Sequence, residues 1–109
     1  MSRRIERFES KVTNAVTKYT DAGGKLCRGE FRLPSGEVCA LTATYGVDSG
    51  PNSDRIVEVT RSTARLNSNQ VWSFIRGYDG APLAGNETNR EYYNLGKRIA
   101  KKFAKYIAA

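Results

Sequence analysis

Residues 25–45, KLCRGEFRLPSGEVCALTATY, decide how the rest of the chain is assembled. Pro34-Ser35-Gly36 is turn chemistry set between two runs of apolar and β-branched residues, so the stretch reads as a β-hairpin. Two registers compete. A two-residue loop sets Phe31 opposite Val38 and leaves Cys39, Leu41 and Tyr45 on the wrong face. A three-residue loop, with Pro34 and Ser35 in a type I turn and Gly36 left-handed, pairs Leu33 with Glu37. That register gathers Cys27, Phe31 and Leu33 with Cys39, Leu41 and Ala43, and sends Arg28, Glu30 and Arg32 to the other face. It is the preferred one.

The same register separates the cysteines. Cys27 falls across from Ala43 and Cys39 across from Phe31, about four rungs or roughly 13 Å apart, which is beyond disulfide reach. No disulfide is predicted, and both thiols read as small core residues.

Outward from the hairpin, residues 2–19 form an amphipathic helix: Ile5, Phe8, Val12, Ala15, Val16 and Tyr19 recur at helical spacing. Ser2 is placed to cap it and Ala22-Gly23-Gly24 to end it. Gly46 to Asp54 reads as a loop. Ile56 to Thr60 is rich in β-branched residues and reads as a third strand, with a helical reading of 56–66 left open. Asn67-Ser68-Asn69 starts a short apolar helix carrying Val71, Trp72, Phe74 and Ile75, which ends at Gly77. A loop from Gly77 to Asn86 leads to a capping-box pattern at Thr88–Glu91 and a final helix from Asn89 to Ile107. The predicted fold is therefore α+β: one domain over 1–109, with a small antiparallel sheet (the hairpin plus the third strand) packed against the N- and C-terminal helices.

The formal net charge is +7 on 109 residues, which favours anionic partners. Histidine is absent, removing the commonest general base and metal ligand. Asp48, Asp54, Glu58 and Asp79 form no recognised catalytic pair, and the short Gly77-Tyr78-Asp79-Gly80 sequence reads as a tight turn between helices. Neither an enzyme nor a metal site, a cofactor or a small-molecule substrate is expected. No apolar run approaches the ~20 residues that span a bilayer, and charges fill MSRRIERFES where a signal peptide has its apolar core. The expectation is a cytoplasmic protein without a membrane partner, in which Asn86-Glu87-Thr88 is an incidental sequon.

The final helix carries the functional signal. Tyr92, Leu95, Ile99, Phe103, Tyr106 and Ile107 share an apolar stripe; Lys97, Arg98, Lys101, Lys102 and Lys105 share an opposite arc. From Arg90 to the end there are six basic residues and one acid. Like charges along one arc repel, and no glutamate is interleaved to relieve them. These five residues, with Arg28 and Arg32 of the hairpin, are the candidate contacts to nucleic acid or to an acidic protein surface. Arg3, Arg4, Arg7 and Lys11 decorate the first helix and would extend that surface if the long helices pack side by side. Tyr92, Tyr106 and Trp72 are expected in the core.

Two resemblances follow from these residues. The predicted α-β-β-β-α order with Lys97-Arg98-Ile99-Ala100-Lys101 resembles the double-stranded RNA-binding domain, whose last helix carries a K-K-x-A-K motif. It implies phosphate contacts by Lys97, Arg98 and Lys101. Leu26-Cys27-Arg28-Gly29 followed by Val38-Cys39-Ala40-Leu41 is similar to small uncharacterised bacterial and phage proteins with a W-C-x-G and C-A-L-G-A pattern. That likeness implies an accessory protein of a phage or mobile element. It frames the alternative role, an anti-CRISPR-like inhibitor that binds a host-defence protein.

Overall fold

The computed structural model describes residues 3–49, 55–83 and 89–107. Five helices account for the regular structure: α1 (Arg3–Asp21), α2 (Ala40–Ser49), α3 (Ile56–Ala64), α4 (Ser68–Asp79) and α5 (Arg90–Lys102), followed by a 3-10 turn at Ala104–Tyr106. Among the described residues there is no sheet, only isolated bridges joining Leu26 to Val38 and Ile107, and Arg32 to Val38. The α+β expectation is overturned, and the domain is all-helical.

The turn forms with the preferred register but never grows into a ladder. Leu33 donates its N–H to Glu37 O at 2.8 Å, Gly36 is left-handed at φ +105°, and Cys39 N–H reaches Phe31 O at 3.0 Å. Beyond that, both arms leave. On one side Gly29, at φ +85°, swings the chain back so that Cys27 N–H bonds to Val38 O at 2.9 Å rather than lying across from Ala43. On the other side α2 starts at Ala40, and Cys39 serves as its N-cap: the sulfur accepts Thr42 N–H at 3.4 Å and the carbonyl accepts Ala43 N–H at 3.0 Å. The cysteines are therefore neighbours, not four rungs apart. Burial and the proximity of Cys39 push the Cys27 thiol up to about 11. Both are buried and unbridged.

The third strand is also a helix. Ile56 and Thr60, one turn apart, are buried in α3, and Arg65 closes it in the left-handed region at φ 58°. Segment 46–49 belongs to α2 rather than to a loop. Helix α4 opens on a complete capping box, with Gln70 N–H to Asn67 Oδ1 at 2.8 Å and Asn67 N–H to Gln70 Oε1 at 2.9 Å. It runs through Gly77, where a stop was expected, and ends at Gly80. The expected caps at Ser2 and Thr88 lie outside the described residues. The last helix breaks at Phe103, short of the predicted Ile107. Its tail then returns to the turn segment, where Leu26 N–H bonds to Tyr106 O at 2.8 Å.

One core joins these helices. The α1 stripe of Ile5, Phe8, Val12 and Val16 is buried against α2 and α5. Phe8 meets Phe74 edge-on at 5.1 Å, with the Tyr45 and Tyr92 rings 6.5 and 6.2 Å away, so one ring touches three other helices. Burying such a side chain contributes about 1.5–3 kcal/mol. The closest packing is between α4 and α5. A Cβ on Gly77 would collide with the Tyr93 carbonyl oxygen; one on Gly96 would collide with Phe74 O and lie 2.7 Å from Tyr78 N. Each helix thus presents a glycine where the other's backbone arrives.

Candidate polyanion-binding surface

The candidate cations fall on several surfaces instead of one arc. The first is a groove of about 580 Å³ whose lining includes Arg28, Lys97 and Lys101. Lys97 and Lys101 stand one turn apart on α5. Arg28 arrives from the segment before the Gly29 bend, and its Nε donates to Tyr78 O at 2.7 Å, which uses one of the carbonyls left over at the α4 C-terminus. Gly29 N–H donates to Asp79 Oδ1 at 2.9 Å and fixes the bend. Gly77, Gly80, Ala100 and Ala104 also line the groove, and their small side chains keep it open. Lys97 Nζ sits 5.2 Å from the centre of the Tyr93 ring. Asp79 is the one acid among the described residues lining the groove; burial raises its carboxyl pKa, opposed by Gly29 N–H and the Arg28 charge.

The remaining predicted residues lie elsewhere. Arg98 faces α1 and pairs with Glu9 at 3.4 Å, an exposed contact worth about 0–1 kcal/mol. Lys105 lies 5.1 Å over the Tyr106 ring and shares a shallow cleft with Lys25. Lys102 and Arg32 are exposed. The structure therefore brings Arg28 together with Lys97 and Lys101, and separates Arg32, Arg98, Lys102 and Lys105 from them.

A second basic cleft, of about 710 Å³, opens between α1 and α3. Arg3, Arg7 and Lys11 follow one another at four-residue spacing on α1, beside Arg4, and Arg65 stands at the end of α3. Tyr45 forms part of the wall, with Lys11 Nζ 5.5 Å from its ring centre. No carboxylate is among the described residues that line this cleft. Arg65 is not among the candidates that the sequence offers, because the β-branched residues of 56–60 read as a strand. The helical alternative for 56–66 was the signal that would have placed it.

The aromatic expectations divide. Tyr92 is buried and Tyr106 half-buried, but Trp72, expected in the core, is 45% exposed. No helix among the described residues is long and apolar enough to cross a membrane. Comparisons with protein-family models, curated proteins and solved structures gave no match.

Proposed function

We propose that this chain is a non-enzymatic binding module for a polyanion, with nucleic acid as the ligand, held by its phosphates. The observation that carries this reading is the α1–α3 cleft: Arg3, Arg7, Lys11 and Arg65, from two elements, converge there, and no carboxylate is among its described lining residues. Grouping like charges costs stability unless an anion occupies the site. The Arg28–Lys97–Lys101 groove supplies a second contact surface. Arginine suits this role because its planar fork matches phosphate oxygens.

The test is a salt titration of binding to labelled duplex DNA and RNA, followed by fluorescence anisotropy. Affinity is expected to fall steeply from ~50 mM salt upward, with a log–log slope of about 0.9 per neutralised duplex phosphate. Substituting Arg7, Lys11 and Arg65 together with glutamine lowers that slope by about 3, whereas Arg32→Gln leaves it nearly unchanged. No binding to either nucleic acid at ~50 mM salt would overturn the nucleic-acid assignment and point to an acidic protein surface.

A further inference from the structure

On the far side of Asp79 from the basic groove, the turn segment and α4 enclose a cavity of about 230 Å³. We propose that it binds a small organic cation with an apolar body, an aryl- or alkyl-ammonium or guanidinium compound. The site shares no residue with the α1–α3 cleft and only Asp79 with the Arg28–Lys97–Lys101 groove.

Charge makes the first argument. The chain has 18 Lys and Arg against 11 Asp and Glu, yet among the described residues the charged ones lining this cavity are both acids, Glu30 and Asp79. Asp79 borders both the cavity and the groove, whereas Arg28 lines only the groove. Its carboxylate is held in place by Gly29 N–H at 2.9 Å. Glu30, on the bend itself, is exposed and provides a second negative charge.

The walls make the second. Phe31, Trp72, Phe74 and Tyr78 all line the cavity, and Phe31 and Trp72 stand with ring centres 6.4 Å apart. Aromatic faces carry negative potential and attract cations, most strongly where water is displaced. Trp72 is the one large hydrophobic side chain left exposed among the described residues, and it is turned to this pocket. The volume matches about eight waters at ~30 Å³ each, room for an amine of side-chain size.

Trp72 is the sole tryptophan and reports on its own pocket. Benzylamine, benzyl alcohol and benzoate, similar in size and opposite or neutral in charge, are titrated into the full chain at pH 7 while its fluorescence is followed. Benzylamine is expected to give a saturable change, with at least about tenfold weaker binding for the other two. Glu30→Gln, at an exposed position, should weaken benzylamine about threefold without shifting thermal unfolding, and Phe31→Leu should weaken it further. Equal affinity for benzyl alcohol would reduce the cavity to an unselective apolar cleft. No saturable response to benzylamine up to about 10 mM, with Trp72 still quenched by acrylamide, would remove the site altogether.

Discussion

A single methyl group at Gly96 is enough to push α4 and α5 apart, because the position it would fill is taken by the Phe74 carbonyl oxygen. Backbone has no rotamer to yield, so Gly96→Ala should cost about 3 kcal/mol despite alanine's better helix propensity, visible as a lower urea midpoint at unchanged slope. Buried acids set the alkaline limit. The Cys27 thiol is pushed up from 9.0 to about 11 and the Tyr45 hydroxyl from 10.0 to about 12, chiefly by burial. A group that holds its proton more tightly when folded contributes its full stability below the unfolded pKa. That contribution is lost as pH rises towards the folded value. The melting temperature should therefore hold to about pH 9 and fall between about 9 and 12, and Cys27→Ala should flatten the first part of that fall.

At the scale of elements, the Asn67–Gln70 box is the complete cap that the described helices display, and Asn67→Ala should cost about 1 kcal/mol in thermal or urea unfolding. The legible helices were those with one wet face. The stripe Ile5, Phe8, Val12, Val16 announces α1 because its other side meets water. Helix α2 lies between α1 and α3, with Ala40, Leu41, Thr42 and Tyr45 all buried, so no period survives in its sequence. Its cap is a cysteine, a residue absent from the usual set, and its threonines favour strands. In α3 the β-branched Ile56, Val57 and Val59 misled in the same way, and its stop is Arg65 rather than a glycine. The turn at 34–36 was readable because its chemistry is local; what its arms did next depended on the Gly29 bend and on distant partners. Gly77 read as a stop when its role is contact, which only the position of α5 reveals.

Across the whole molecule, the basic character was legible as composition, but its partition was not. The arc on α5 divides because Arg98 meets Glu9, Lys105 turns to Tyr106, and only Lys97 and Lys101 find Arg28. The α1–α3 cleft exists because α3 is a helix that ends beside α1. Its acidic counterpart, the Glu30–Asp79 cavity, required the turn segment to fold over α4. The glycine seam between α4 and α5 also bears on how the domain opens and forms. Two backbones in contact screen each other's amides from solvent, and helices adjacent in sequence close only a short loop when they dock. Amides of Phe74–Tyr78 and Tyr93–Lys97 should therefore exchange with deuterium only through global unfolding, and be the first protected on refolding. The bridges at Leu26, Arg32 and Val38 belong to no ladder, so their amides should exchange earlier, by local opening.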